Sequence, residues 1–120
     1  MGIIGLEEGL VTPETIIKNT GGYQRGRLYR DIAPKGDYDL VKAITYSSNT
    51  YFYKLMDDIA TSGRLNKWSE RVKDFGLGSD LGIDLPSATT GIVPDSAFLD
   101  RWFGKSRWGL GDLINLGIGQ

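Results

Sequence analysis

Apolar side chains recur at spacings of three and four residues through the middle of the chain, from Asp37 to Ala60. This spacing is typical of one face of an amphipathic α-helix, so the segment is predicted to form the main helix. Asp37 or Asp39 can cap its start, because a carboxylate accepts hydrogen bonds from the free N–H groups of a first helical turn. Gly63 is a suitable stop because glycine adopts the left-handed conformation at little cost.

Shorter periodic segments on either side predict further helices. A second helix is expected over Arg64–Phe75, where apolar residues repeat at three, four and three. A short helix is expected after the capping residue Asp95, and the last turns of another over Ile3–Leu10.

Glycine and proline residues divide the rest of the chain into predicted loops over 18–37, 76–94 and 104–111, with a short strand near Arg27–Ile32. The final apolar stretch, 113–120, fits either a strand or a helix, and periodicity alone does not separate the two. The predicted fold class is therefore mainly α with long ordered loops.

Composition narrows the function classes. With 120 residues, 40% hydrophobic and 24% charged, the chain has the size and mixture of one soluble globular domain. Fourteen basic and 15 acidic residues leave a net charge of -1, which argues against a nucleic-acid module or a polybasic membrane binder. There is no cysteine and no histidine, which excludes thiol nucleophiles, Ser-His-Asp triads and ordinary zinc sites. No metal or cofactor is expected, and Lys, Asp, Glu, Tyr or Ser must handle any proton transfer.

The two ends of the chain suggest a segment of a longer protein. The first apolar stretch stops at Glu7, too short for a membrane-spanning helix or a signal sequence. The last stretch, Leu113–Gln120, is apolar and has no polar tail, whereas natural termini are more often frayed and polar. We expect a soluble piece whose anchor lies elsewhere.

Three polar residues, Ser47-Ser48-Asn49, interrupt the best apolar stripe of the chain. Buried hydroxyl and amide groups cost roughly 1–3 kcal/mol each unless they find partners. In one interpretation a helix ends near Tyr46 and another begins, with Ser48 or Asn49 as its N-cap. In the other, the junction points these side chains at a ligand. Both can hold together.

The same residues resemble a known motif. Ser47-Ser48-Asn49, followed by Thr50-Tyr51-Phe52-Tyr53, is similar to the Ser-x-Asn motif of the penicillin-binding proteins, the peptidoglycan transpeptidases. Further stretches follow in that family's order, and they lie at 6–9, 39–44, 71–78, 82–86, 90–94 and 111–120. The resemblance covers nearly the whole chain and is strongest to the class B, elongation-type members.

The resemblance implies a serine acyl-transfer mechanism. A nucleophilic serine attacks the carbonyl between two terminal D-alanines of a cell-wall stem peptide, and a neighbouring stem takes the acyl group; β-lactams imitate the substrate. By resemblance, Ser47 is a second catalytic serine that relays a proton towards the leaving amine. By the same resemblance, Asn49 binds the substrate by orienting the substrate's amide, and it forms a hydrogen bond with the catalytic lysine. Ser48 is the variable middle residue and is given no catalytic role.

Two motifs of that family are missing. No Ser-x-x-Lys and no Lys-Thr-Gly occurs in the sequence. Residues 1–120 are therefore expected to be the helical part of the transpeptidase domain between these motifs, lacking most of its central antiparallel sheet. The isolated chain is expected to have no transpeptidase activity and no covalent penicillin binding.

The resemblance also implies partners and a location. The parent is expected to be anchored in the bacterial inner membrane, with its catalytic domain in the periplasm. There it would bind stem peptides, β-lactams and other cell-wall elongation proteins. The isolated chain is expected to self-associate through apolar surface built to meet a missing sheet.

Two alternatives remain open. A noncatalytic helical interaction module would use the junction only as a cap. A related serine DD-carboxypeptidase or β-lactam-sensing domain would share the motif. The run from Gly82 to Pro94 favours the transpeptidase.

Overall fold

The computed structural model describes residues 1–79, 82 and 90–120. Its helices are α1 (Gly2–Glu7), α2 (Leu40–Thr45), α3 (Asn49–Thr61), α4 (Leu65–Asp74), α5 (Ser96–Phe103) and α6 (Leu110–Leu113), followed by a 3-10 helix (Ile114–Ile118). Its strands are β1 (Ile17–Asn19), β2 (Gly22–Arg25), β3 (Arg27–Arg30) and β4 (Gly36–Tyr38). None of the described helices is both long enough and apolar enough to cross a membrane.

The strands form two small antiparallel sheets. β1 pairs with β4, with Ile17 opposite Tyr38. β2 and β3 form a hairpin in which Tyr23 lies opposite Tyr29. Because the described strands have only three or four residues each, the prediction of a mainly α fold is confirmed.

The chain divides into two compact units, and the first contains Met1–Ser62 together with Gly109–Gln120. Its centre is α3, whose residues Tyr51, Leu55, Met56 and Ile59 are fully buried. The 3-10 helix packs against α3. The contact is close because Gly117 has no side chain: a Cβ there would lie 2.3 Å from the carbonyl oxygen of Phe52.

The second unit, Gly63–Trp108, is built from α4 and α5. α4 buries Leu65 and Trp68, and α5 buries Leu99. Asp95 caps α5, since its carboxylate accepts a hydrogen bond from the Phe98 N–H at 2.8 Å. The predicted cap and the predicted helix over Arg64–Phe75 are thus confirmed.

The structure differs from the sequence prediction mainly between residues 17 and 49. The single helix predicted from Asp37 to Ala60 is two helices, α2 and α3, separated at 46–48. Asp39 caps α2 through a 2.8 Å bond from the Lys42 N–H, and Gly63 has a left-handed φ of 73° just after α3. The short strand predicted near Arg27–Ile32 is confirmed as β3. The other three strands, β1, β2 and β4, lie within or at the ends of the predicted loop 18–37, because pairs this short show no alternating pattern.

The last apolar stretch is helical rather than extended, as α6 and the 3-10 helix show. Most of the stretch from Gly82 to Pro94, which was used to favour the transpeptidase, lies outside the described residues.

Candidate active site

The polar triplet lies where the loop after α2 meets α3: Ser47 and Ser48 are in the loop, and Asn49 is the first residue of α3. Ser47 has a φ of 54°, the left-handed conformation that a residue with a side chain seldom adopts. The Ser47 N–H donates to the Ile44 carbonyl at 3.3 Å, and the Ser48 N–H donates to the Ala43 carbonyl at 2.8 Å. These two bonds form a Schellman motif, in which Ser47 occupies the position that glycine usually takes. The local geometry therefore turns the chain sharply at Ser47.

Ser48, the middle residue, is the buried member of the triplet. It is 0% exposed, and its hydroxyl donates to Oδ2 of Asp31 at 2.8 Å. Ser48 stands at the N-cap position of α3, but its side chain makes no capping bond there. The Asp31 carboxylate does so instead, because its Oδ2 accepts the Thr50 N–H at 2.7 Å. The prediction of a helix junction is confirmed, with a capping group supplied from another part of the chain.

Asp31 is the centre of a buried polar group that we call the Asp31 cluster: Asn19, Asp31, Ser48 and Thr50. Besides its two bonds to the start of α3, Asp31 Oδ2 accepts one from Asn19 Nδ2 at 3.0 Å. The Thr50 hydroxyl donates to Asn19 Oδ1 at 3.1 Å. The other Asp31 oxygen accepts the Ala33 N–H at 2.9 Å. Each of these buried side chains thus has a hydrogen-bond partner, as buried polar groups require.

The Asp31 carboxyl is ionised in this environment. Burial by itself would raise its pKa, but hydrogen bonds from the Thr50 and Ala33 N–H groups and from the Ser48 hydroxyl outweigh burial. The pKa of Asp31 therefore lies below its ordinary value of 3.8. The N-terminus of α3 also favours a negative charge at this position. The cluster thus contains a stable buried carboxylate.

Ser47 and Asn49 lie on either side of the anchored Ser48. Ser47 is exposed and Asn49 is half-buried. Across the described part of the chain, neither side chain has a hydrogen-bond partner. The structure thus places both predicted site residues at the start of α3, on either side of the buried Ser48.

No metal centre is evident at this loop or elsewhere: residues 1–79, 82 and 90–120 contain no group of three or more acidic side chains placed to bind an ion.

Sequence reasoning missed Asn19 and Asp31, which lie in the region predicted as loop and short strand. A local signal for both exists. Each side chain accepts the N–H two residues further on, Gly21 for Asn19 and Ala33 for Asp31, which is a turn typical of Asn and Asp. The pairing with Ser48 and Thr50 is long-range, and no local pattern indicates it.

Comparison with known proteins identifies the class. A profile of the family described as "Penicillin binding protein transpeptidase domain" matches residues 1–119. This chain belongs to that family, which confirms the resemblance inferred from the Ser-x-Asn motif.

One individual relative shows how much of a full-length family member this chain covers. The peptidoglycan D,D-transpeptidase MrdA of Haemophilus influenzae is 36% identical over 118 residues, which cover 94% of this chain and 17% of that relative. This chain thus spans about a sixth of the relative's length.

Two solved structures are similar over 99% of this chain. Pseudomonas aeruginosa PBP2 in complex with WCK 5153 gives a TM-score of 0.85 at 27% identity, over 26% of its own chain. Helicobacter pylori PBP2, solved in complex with MreC, gives a TM-score of 0.83 at 33% identity, over 22% of its chain. The observed architecture is the helical portion of the penicillin-binding transpeptidase fold.

Proposed function

We propose that this chain is the segment of a peptidoglycan transpeptidase domain between the Ser-x-x-Lys and Lys-Thr-Gly motifs. In this proposal the complete protein cross-links cell-wall stem peptides through a serine acyl-enzyme and binds β-lactams. The family match and the similarity to a peptidoglycan D,D-transpeptidase support this function. "The complete protein" below means this longer chain.

The proposed roles follow the chemistry of the two available side chains. The Ser47 hydroxyl can both accept and donate a proton, so it can relay one towards the leaving amine without histidine. The Asn49 carboxamide has two donors and one acceptor oxygen, so it can orient a substrate amide and bond a catalytic lysine. The observation that carries the proposal is that neither side chain has a hydrogen-bond partner among residues 1–79, 82 and 90–120, while the serine between them is buried and bonded.

The nucleophile and the general base would come from the rest of the complete protein. Since the sequence has no Ser-x-x-Lys and no Lys-Thr-Gly, we propose that this chain alone forms no acyl-enzyme. The open reading frame should encode Ser-x-x-Lys shortly before Met1 and Lys-Thr-Gly after Gln120.

Labelling with a fluorescent penicillin tests the function. The complete protein should give a specific labelled band that unlabelled penicillin competes away, and the 120-residue chain should give none. A complete protein that takes no label contradicts the proposed function. A specific band at the mass of the short chain contradicts the proposed absence of the nucleophile.

Substitutions and a stem-peptide assay separate this proposal from its rivals. In a noncatalytic helical module, replacing Ser47 or Asn49 would change only stability. A DD-carboxypeptidase would be labelled too, but with a stem-peptide substrate it would release D-alanine without forming cross-linked product.

Partners and location follow from the proposed function. One of the similar proteins, PBP2 of Helicobacter pylori, was solved with MreC. We propose that the complete protein is anchored in the inner membrane, works in the periplasm and assembles with other cell-wall elongation proteins. Immunoprecipitation of the complete protein from cross-linked cells tests this assembly.

Self-association of the isolated chain remains a proposal. α2 exposes Val41 and Ile44, and Tyr46 follows them at 53% exposure. Such apolar side chains favour contact between copies. Analytical ultracentrifugation that finds a strict monomer at high concentration would contradict it.

A further inference from the structure

We infer that Asp31 is the positioning residue of the Ser-x-Asn motif. Its carboxylate anchors the middle serine and the first turn of α3, and this fixes where Ser47 and Asn49 present their side chains. The inference rests on the proposed function, because it assigns a role within the same site.

Ser48 is fixed at two atoms by bonds of different origin. Its N–H donates to the Ala43 carbonyl of α2 at 2.8 Å, and its hydroxyl donates to Asp31 at 2.8 Å. Ser47 and Asn49 are each joined to Ser48 through a single planar peptide unit. Fixing Ser48 therefore fixes the backbone from which both candidate ligand groups project.

Ser47 needs this anchor because its backbone is strained. A left-handed conformation is unfavourable for a residue with a side chain and persists only where the surroundings hold it. The Ser47 N–H bond to Ile44, at 3.3 Å, is the longer of the two Schellman bonds. Without the bond from the Ser48 hydroxyl to Asp31, the residue that follows Ser47 would be held by its backbone N–H alone.

Asp31 follows β3 and is itself held by residues at and just after the end of β1. Its N–H donates to the Gly21 carbonyl at 3.1 Å, and its carboxylate accepts from Asn19 at the end of β1. In the described part of the chain Asp31 has no basic partner, so hydrogen bonds stabilise the charge of the carboxylate. The cluster thus joins β1 and the end of β3 to the motif through hydrogen bonds.

The test measures acylation of the complete protein by a fluorescent penicillin over a range of concentrations. The time course gives three quantities: a dissociation constant, a first-order acylation rate constant and the fraction of protein labelled. A variant that is merely less stable lowers the labelled fraction. A variant that displaces the reacting groups lowers the rate constant of the molecules that remain folded.

Ser48→Ala is the primary variant because it removes one hydroxyl and leaves the Thr50 N–H bond to Asp31 in place. The matched control is Ser69→Ala: Ser69 is equally buried, at 0% exposure, and its hydroxyl donates to the Val93 carbonyl at 3.4 Å in the other unit. We expect Ser48→Ala to lower the acylation rate constant roughly ten- to hundredfold, since small displacements of reacting groups have effects of this size. Ser69→Ala should acylate at the wild-type rate.

Asp31→Asn completes the test. It should slow acylation as well, and the double variant with Ser48→Ala should be no slower than the slower single variant, because both act through one bond. A wild-type rate constant for Ser48→Ala, in a protein that is fully labelled, overturns the inference. If the double variant lowers the acylation rate constant by the product of the two single effects, the role of Asp31 is overturned as well. If Asp31→Asn does not fold, Ser48→Ala decides alone.

The outcome is separable from that of the proposed function. A wild-type protein that takes no label contradicts the function itself. A labelled wild-type protein with an unaffected Ser48→Ala variant contradicts only the positioning role.

Discussion

The Ser48 hydroxyl donates to the Asp31 carboxylate at 2.8 Å across 17 residues of sequence. This bond joins the end of β3 to the loop between α2 and α3. It explains why three consecutive polar residues can interrupt an apolar helical stripe. The middle residue is buried and bonded, whereas Ser47 is exposed and Asn49 is half-buried.

Replacement of Asp31 should destabilise the protein strongly. Asp31→Ala leaves the donors of Asn19, Ser48 and Thr50 without their buried acceptor, and each such group costs about 1–3 kcal/mol. We expect a loss of at least about 3 kcal/mol in the free energy of unfolding, measured by urea denaturation of the complete protein. Asp31→Asn, which keeps one acceptor oxygen, should lose less. A loss below about 0.5 kcal/mol for Asp31→Ala would show that the cluster is not structural.

Stability should depend on pH in acid through the same carboxyl. The pKa of Asp31 in the folded protein is below its ordinary value of 3.8, so the unfolded chain binds a proton more readily. The stability that this group contributes is complete above about pH 4 and is lost as the pH falls through the lower, folded pKa. Relative to wild type, Asp31→Asn should show a weaker decline of unfolding free energy below pH 4. Parallel declines of the two proteins would contradict this.

Two buried tyrosines should respond oppositely to loss of their hydroxyl groups. Tyr51 is 0% exposed, and its hydroxyl has no hydrogen-bond partner in the described residues. Tyr38 is 1% exposed, and its hydroxyl donates to the Pro34 carbonyl at 2.6 Å. Tyr51→Phe should be neutral or stabilising, because it removes an unsatisfied polar group, whereas Tyr38→Phe should lose about 1 kcal/mol. Thermal unfolding compares them, and equal losses would mean that the Tyr51 hydroxyl has a partner.

Gly117→Ala should be poorly tolerated. A Cβ at this position would lie 2.3 Å from the Phe52 carbonyl oxygen in the first turn of α3, so the 3-10 helix would have to move away. Overpacking of this kind costs about 1–3 kcal/mol. Gly111→Ala is the control, because its Cβ would lie 3.5 Å from the nearest atom, the Tyr29 hydroxyl oxygen. If the two variants unfold at the same temperature, the close packing on α3 is wrong.

Local patterns predicted the helices and their ends well. Asp39 and Asp95 are caps because short-range chemistry makes them so, and Gly63 follows α3 for the same reason. The break after Tyr46 was one of two interpretations of the polar triplet, and the structure shows it.

The hydrogen bonds that hold Ser48 and the start of α3 could not be predicted in the same way. Asn19 and Asp31 accept hydrogen bonds from Thr50, which lies 31 and 19 residues further along the chain. Contacts of this range leave no periodic signal in one sequence. The strand predicted near Arg27–Ile32 is present as β3, but β1, β2 and β4 are missed for a related reason, since the pairing of such short strands is decided by the packing around them. The resemblance to a family motif predicts Ser47 and Asn49 as site residues, and the coordinates show which groups hold the serine between them.

The central claim is that Ser47 is present for chemistry rather than for folding, and its left-handed backbone makes the claim testable. Ser47→Gly suits a φ of 54° better than serine does, so it should keep or raise the thermal midpoint. Ser47→Ala removes the same hydroxyl and retains the strained backbone, and it is the matched control.

The most direct measurement is the acylation rate constant of the complete protein with fluorescent penicillin, determined beside thermal midpoints for wild type, Ser47→Gly and Ser47→Ala. We predict that both variants acylate about a hundredfold or more slowly, as expected for loss of a group that transfers a proton, while Ser47→Gly is at least as stable as wild type. Acylation at the wild-type rate in these two variants would contradict a catalytic role for Ser47.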